Sequence, residues 1–162
     1  MRSTSSIVIL WLLVMAVIYW SFNTLVLQPQ RTKAMQITVN ATEQLRLKRS
    51  RDGHFRINGS LNGQAVVFLI DTGASSVTLE ESLARQLKLP RGQSVNTQTA
   101  NGMANAYLTT IDEMTLGGTQ LNQVGAIVVP ELGGTALLGM NVLQHFDIQI
   151  NGNEMLIKPA TR

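Results

Sequence analysis

The segment Phe68-Leu69-Ile70-Asp71-Thr72-Gly73-Ala74-Ser75 decides which fold this sequence predicts. An apolar run, residues 65–70, leads directly into an acid, a hydroxyl and a glycine. Such a run is typical of a buried strand, and a carboxylate at the end of a buried strand is costly unless something there requires it. The glycine lets the backbone turn tightly after the acid. The segment is therefore either a strand that ends in an ordinary Asx turn or a strand that delivers a functional acid to a loop.

The composition excludes several classes of function. The chain has 162 residues, which is enough for one domain and an appendage. Because cysteine is absent, the chain has no disulfide framework, thiolate zinc site or cysteine nucleophile. The chain has two histidines, His54 and His145, which are too few for a His-rich metal site, and we expect no metal and no other cofactor. The net charge of +3 comes without a dense basic block or interleaved aromatic residues, so we expect no nucleic-acid partner.

Composition divides the chain into four parts. After a short tail of residues 1–6, residues 7–27 carry no charge and are long enough to cross a bilayer as a helix, which takes about 20 residues. We expect a single-pass transmembrane anchor there. A cleaved signal peptide is the alternative, although no small-x-small cleavage site follows the apolar core. Residues 28–43 are polar and predict a stalk, and residues 44–162 predict the folded domain.

The domain contains short alternating segments separated by turn signals. Residues 45–48, 54–59 and 64–70 predict three antiparallel strands in a meander, joined by turns at Ser50-Arg51-Asp52-Gly53 and Asn62-Gly63.

Later segments predict two short helices and a last hairpin. The helices are expected at residues 80–89, where Pro90 ends the helix, and at residues 140–146. The hairpin is expected from residues 146–150 and 154–157. Many short strands with turns at this spacing indicate an all-β fold, either a small barrel or a sandwich.

Three motifs in a fixed order resemble a known family. They are Asp71-Thr72-Gly73-Ala74, then Ala100-Asn101-Gly102 between two extended arms, then Ala136-Leu137-Leu138-Gly139. In order, they resemble the active-site motif, the flap and the segment beside the catalytic loop of retropepsin-like aspartic peptidases. Together with Gly53-His54-Phe55 and Leu137-Leu138-Gly139-Met140, the set resembles the bacterial, membrane-anchored, single-domain branch of that family. The resemblance covers about residues 44–158.

The resemblance implies a closed β barrel that supplies one active-site aspartate for each half of the enzyme. Only Asp71 begins an Asp-Thr-Gly motif, because Asp112 is followed by Glu113 and Asp147 by Ile148. The implied protein is therefore a homodimeric aspartic endopeptidase, in which two Asp71 carboxylates activate a water molecule that hydrolyses a peptide bond. This chemistry implies no metal and no other cofactor.

The resemblance also assigns roles to individual residues. Those that it makes catalytic are Asp71, Thr72 and Gly73. Those that it places against the peptide substrate are Ala74, Ser75, Ala100, Asn101, Gly102, Met103, Leu138 and Gly139. It further implies a bacterial inner-membrane protein whose catalytic domain faces the periplasm, with peptides, a second copy and the lipid bilayer as partners.

Two other functions stay open at this point. A catalytically silent β domain on the same anchor would bind peptides under the flap as an adaptor, and Asp71 would then only cap a turn. A generic anchored β domain would carry the motif by chance. The replacement Asp71→Asn separates the peptidase from the adaptor, because it should abolish cleavage and leave peptide binding intact.

Overall fold

The structure is a computed structural model that describes residues 4–25, 36–39, 44–99 and 102–160. The chain divides into a first unit that ends at Ala34 and a second unit that begins at Met35.

The first unit contains one described helix, α1, Thr4–Leu25. Within the described part of the chain, no helix combines the length and the apolar character that crossing a membrane requires. The structure therefore does not support the transmembrane anchor that the sequence predicts over residues 7–27. Residues 26 and 27 of that prediction lie outside the described residues.

The second unit consists mainly of strands, with two short helices, α2, Glu81–Gln86, and α3, Met140–Leu143. Its described strands are β1 Gln36–Val39, β2 Leu45–Lys48, β3 Arg56–Leu61, β4 Gln64–Ile70, β5 Val77–Glu80, β6 Ser94–Thr99, β7 Gly102–Leu116, β8 Thr119–Val129, β9 Ala136–Leu138, β10 Phe146–Asn151 and β11 Glu154–Pro159.

Six of these strands close into a barrel. They lie in the order β8-β5-β9-β4-β3-β7, and β7 pairs back with β8 along most of its length. Two further strands extend the sheet, β1 on β8 and β6 on β7. A second sheet has the order β10-β11-β2. The prediction of an all-β fold with a closed barrel and short helices is therefore confirmed.

The barrel closes around an apolar core because its strands alternate in character. In β4, the inward residues Val66, Phe68 and Ile70 are buried, while Val67 on the other face is 49% exposed. Burial of one such apolar side chain contributes about 1.5–3 kcal/mol. Leu138 of β9 has no exposed surface and lies next to Ile70 in the parallel ladder of β4 and β9. The strand that carries Asp71 is thus held on both sides inside the barrel.

The predicted three-stranded meander is wrong in one of its pairings. β3 and β4 do form a hairpin, and its turn residues Asn62 and Gly63 have φ angles of 47° and 81°, which is the left-handed backbone of a type I′ turn. β2, however, pairs with β11, with Leu47 opposite Met155. The turn before β3 is present, with the Gly53 amide donating to the Ser50 carbonyl, but a local turn does not decide which strand β2 joins.

Both predicted helices are present but shorter than expected. α2 ends at Gln86, before Pro90, because Lys88 takes a left-handed backbone with φ of 52°. Pro90 is therefore not what ends the helix. α3 ends at Leu143, and residues 146–151 belong to β10.

Candidate active site

Asp71 follows the last residue of β4 and is held in place by the neighbouring strand. Its amide donates a 3.1 Å hydrogen bond to the carbonyl of Leu138 in β9. The preceding residue, Ile70, donates to the carbonyl of Phe55 at 2.9 Å. The backbone that carries the acid is therefore fixed by two different parts of the fold, and the half-buried Asp71 side chain begins where the strand ladder ends.

The loop after Asp71 is turned by its own hydrogen bonds. The amide of Gly73 donates to Oδ1 of Asp71 at 2.9 Å, and the amide of Ala74 donates to the Asp71 carbonyl at 3.2 Å. The first bond is the Asx turn that the sequence allowed as one interpretation. It also orients the carboxylate, so the turn and a functional acid are compatible in this loop.

The segment Leu138-Gly139 runs directly behind the loop. A Cβ atom on Gly139 would overlap the carbonyl oxygen of Ser76, so a side chain has no room there. The next amide, that of Met140, donates to the Ala74 carbonyl at 2.8 Å. Leu138 and Gly139 are buried and do not belong to the described lining of the cleft beside Asp71, so they support the loop from behind. Their predicted contact with a peptide stays a prediction.

Asn141 is a residue of this site that the sequence analysis missed. Its Oδ1 accepts a 3.0 Å hydrogen bond from the amide of Val77, and its Nδ2 donates to the Gly125 carbonyl at 2.8 Å. Its own amide donates to the Ser75 carbonyl at 3.0 Å. Asn141 in α3 thus contacts the active-site loop through its backbone amide and connects β5 to β8 through its side chain. The signal was a polar residue directly after the helix start, but its partners are distant in sequence.

A cleft of about 290 Å³ opens beside Asp71. Its size is close to the lower end of the range of about 300–1,000 Å³ for ligand sites. Of its described lining residues, only Asp71 carries a charge, so the acid faces a surface of small polar and apolar groups. The lining residues are Asp71, Gly73, Ala74, Ser75, Ser76, Thr78, Thr97, Gln98, Ile127, Val129, Leu132 and Leu137.

The hairpin of β6 and β7 borders the same cleft. Its arms pair up to Thr99 opposite Gly102, and Thr97 and Gln98 in the first arm line the cleft with Asp71. Gly102 has a φ of 105°, which favours glycine. The predicted flap residues Ala100 and Asn101 lie outside the described residues.

The remaining predicted site residues differ in whether they line the cleft and in how exposed they are. Ser75 is exposed and lines the cleft together with the half-buried Ala74. Thr72 is exposed and does not belong to the cleft lining, and Met103 is 71% exposed in the second arm of the hairpin. Across the described residues, no three His, Cys, Asp or Glu side chains come together in a way that could hold a metal ion.

Three features together define a retropepsin-like aspartic protease: the closed barrel, the Asp-Thr-Gly loop with a glycine packed behind it, and the hairpin that borders the cleft. The family model named "gag-polyprotein putative aspartyl protease" matches residues 57–145, which is more than half of the chain. The chain therefore belongs to the family of retropepsin-like aspartic proteases.

The fold and the sequence are similar to those of several bacterial proteins. The crystal structure of a retropepsin-like aspartic protease from Rickettsia conorii superposes with a TM-score of 0.61 at 29% identity, covering 72% of this chain and 99% of that one. An uncharacterized protein of Rickettsia prowazekii, RP867, is 33% identical over 103 residues, which are 62% of this chain and 44% of the relative. An uncharacterized protein encoded in the cobV 5′ region of a Sinorhizobium species is 28% identical over 117 residues, 69% of this chain and 50% of the relative. The chain spans about half the length of these two curated relatives. The membrane anchor of the branch that the sequence resembles stays a prediction.

Proposed function

We propose that this protein is an aspartic endopeptidase that acts as a homodimer and cleaves peptide bonds with water held between two Asp71 carboxylates. The observation that carries the proposal is the position of Asp71. Its carboxylate is oriented by the Gly73 amide at 2.9 Å, and it is the one charged group among the described residues that line the cleft.

The need for a second copy follows from the chemistry. The sequence has a single Asp-Thr-Gly motif, whereas hydrolysis by this class uses two carboxylates that share one proton. A two-fold axis beside the active-site loop supplies the second Asp71 without a second motif. The exposed position of Thr72 next to Asp71 supports this arrangement, because an exposed hydroxyl is available to bond across the axis.

The strand β10 is the surface through which we propose that the two copies pair. Among the described strands, β10 pairs with β11 alone and leaves its other edge open. Its residue Ile150 is 56% exposed. On the opposite edge of that sheet, β2, Arg46 is paired with Glu154 of β11 at 2.7 Å, but Lys48 is exposed, and two copies paired there would bring like charges together. Pairing through β10 avoids that repulsion and would extend two three-stranded sheets into one of six strands.

The proposed reaction divides the work between the two carboxylates. The ionised Asp71 takes a proton from the water as the water oxygen attacks the peptide carbonyl carbon. The protonated Asp71 of the other copy donates a hydrogen bond to the carbonyl oxygen and stabilises the charge that develops there. Transfer of a proton to the amide nitrogen then allows the C–N bond to break. The hairpin of β6 and β7 closes over the peptide and excludes bulk water.

The experiment that tests this proposal compares the full chain with its Asp71→Asn and Asp112→Asn variants. Asp112 is an exposed carboxylate that accepts a hydrogen bond from Gln123 outside the cleft, and it serves as the matched control. Each protein is incubated with a denatured protein from pH 3 to 8, and fragments are identified by mass spectrometry. Fragments from the wild type and Asp112→Asn, but none from Asp71→Asn, support the proposal. Equal fragmentation by Asp71→Asn contradicts it.

The second candidate is the peptide-binding adaptor, and one observation favours it. The Asx turn between Asp71 and Gly73 gives the acid a structural role that needs no catalysis. An adaptor would bind the denatured substrate in the cleft and release it uncut in every variant. Binding without fragments from the wild type would therefore favour the adaptor over the peptidase.

A further inference from the structure

Glu80 occupies the last position of β5 and precedes the first residue of α2. Its backbone is extended, with φ of −75° and ψ of 146°, and its side chain makes no capping hydrogen bond to the backbone amides at the start of α2. The carboxylate also bonds to the loop that connects β8 with β9. Leu132 in that loop lies 52 residues after Glu80 in the sequence. Glu80 itself lies outside the Asp71-Thr72-Gly73 motif and does not line the cleft.

Both oxygens of this carboxylate are engaged. Oε2 accepts hydrogen bonds from the amides of Gly134 at 2.8 Å and Leu132 at 3.2 Å. Oε1 accepts a 2.8 Å hydrogen bond from the hydroxyl of Ser82. These bonds hold the pKa of Glu80 below its ordinary value of 4.5. The bond from the Gly134 amide lowers it most, followed by those from Ser82 and Leu132.

The loop that Glu80 holds has little stiffness of its own. Gly133 and Gly134 have φ angles of 69° and 74°, and glycine has the largest backbone freedom to lose when it is ordered. Leu132, directly before them, is half-buried and forms part of the cleft wall beside Asp71. Because Glu80 binds the Leu132 and Gly134 amides, it also restricts the position of the Leu132 side chain in the cleft wall.

We propose that Glu80 is a positioning residue that holds the Leu132–Gly134 loop and thereby sets which side chains of a peptide fit in the cleft beside Asp71. The claim about peptides rests on the proposed peptidase function, whereas the claim about the loop does not. A fixed apolar wall discriminates between side chains that differ in size, because a misfit costs packing on every contact. A loop released from Glu80 lets Leu132 adapt, so the cleft accepts a wider range of side chains.

Three variants separate this role from a general effect on the fold. Glu80→Ala removes both acceptors. Glu80→Gln keeps one oxygen that can accept from the loop amides, so it should retain most of the wild-type behaviour. Glu131→Ala removes an exposed carboxylate from the same loop without removing a contact from Glu80, and it is the matched control.

The first measurement is amide hydrogen exchange over residues 131–134 in the full chain, which needs no catalysis. We expect exchange in Glu80→Ala to be about tenfold or more faster than in the wild type, with Glu80→Gln and Glu131→Ala close to the wild type. The rest of the barrel should exchange at unchanged rates. Equal exchange of the loop in the wild type and Glu80→Ala would overturn the proposal.

The second measurement scores the side chains that flank each cut in a denatured protein digested by the same variants. In Glu80→Ala, the preference between large and small apolar side chains should fall about tenfold, and Glu80→Gln should restore it. An unchanged preference, despite a released loop, overturns the claim about selectivity. If the wild type cuts nothing, the proposed function and the claim about selectivity both fail, while the exchange result still shows whether Glu80 holds the loop.

Discussion

A Cβ atom on Gly139 would overlap the main-chain carbonyl oxygen of Ser76 and would lie 2.8 Å from the Ser76 amide nitrogen. The backbone of the active-site loop and the start of α3 therefore touch with no side chain between them. Because the atoms in the way are backbone atoms, they cannot move aside as the end of a flexible side chain can.

The substitution Gly139→Ala should destabilise the barrel by about 1–3 kcal/mol, the usual cost of inserting atoms into a packed site. Urea denaturation, followed by the far-ultraviolet circular dichroism of the backbone, measures the change in the free energy of unfolding. The control is Gly125→Ala, because a Cβ at Gly125 meets nothing within 4 Å and should change stability by less than about 0.5 kcal/mol. Equal effects of the two substitutions would show that the contact with Ser76 does not limit residue 139.

Removal of the Asn141 side chain should loosen the active-site loop. In Asn141→Ala, the amide of the buried Val77 loses its partner, which costs about 1–3 kcal/mol for a buried group that stays unpaired, whereas the exposed Gly125 carbonyl can bond to water instead. Denaturation and hydrogen exchange over residues 74–77 report the loss. Asn58→Ala is the matched control, since Asn58 is exposed in β3. A loss of stability no larger than that caused by Asn58→Ala would show that the Asn141 side chain does not stabilise the active-site loop.

The acid side of the stability profile should depend on Glu80. Its pKa is lowered in the folded state, so its contribution is present above its ordinary value of 4.5 and is lost as the pH falls through the folded value. Glu80→Gln cannot titrate, so its denaturation midpoint should decline less than that of the wild type below about pH 4.5. Asp52, whose pKa is lowered by Arg56, leaves part of the decline in place. Parallel profiles of wild type and variant would contradict this assignment.

The proposed pairing through β10 predicts an effect of Ile150→Lys on self-association. A lysine there puts a like charge from each copy into the strand through which the copies pair, so the dissociation constant of the dimer should rise about tenfold or more. Sedimentation equilibrium measures it. Val67→Lys, on the exposed face of β4, is the control and should associate as the wild type does. The reverse pattern would place the interface on the barrel and away from β10.

The sequence predicts the parts of this site that depend on local order, and it misses those that depend on distant contacts. The buried strand before Asp71 and the Asn62-Gly63 turn follow from apolar runs and turn residues next to each other in the chain. The pairing of β2 with β11 does not, because alternation in Leu45–Lys48 suits any neighbouring strand. Asn141 and Glu80 were missed for the same reason, since their partners lie 64 and 52 residues away.

The flap shows the same division. The extended, polar segments on either side of its tip predict its two arms, and β6 and β7 do pair up to Thr99 opposite Gly102. Thr97 and Gln98 of the first arm line the cleft beside Asp71. They lie there because the barrel closes through the pairing of β7 with β8, which no local sequence signal indicates. The roles assigned to Ala100 and Asn101 stay predictions, as does the cellular location.

The central claim is that one active site is built from the Asp71 residues of two copies, and mixing tests it most directly. Wild type and Asp71→Asn chains are exchanged at equal amounts, and cleavage of a denatured protein is measured at constant total concentration. If both carboxylates are required, only dimers of two wild-type chains are active, and the rate should fall to about a quarter of that of pure wild type. A fall to about a half would show that each chain acts alone, and would contradict the account.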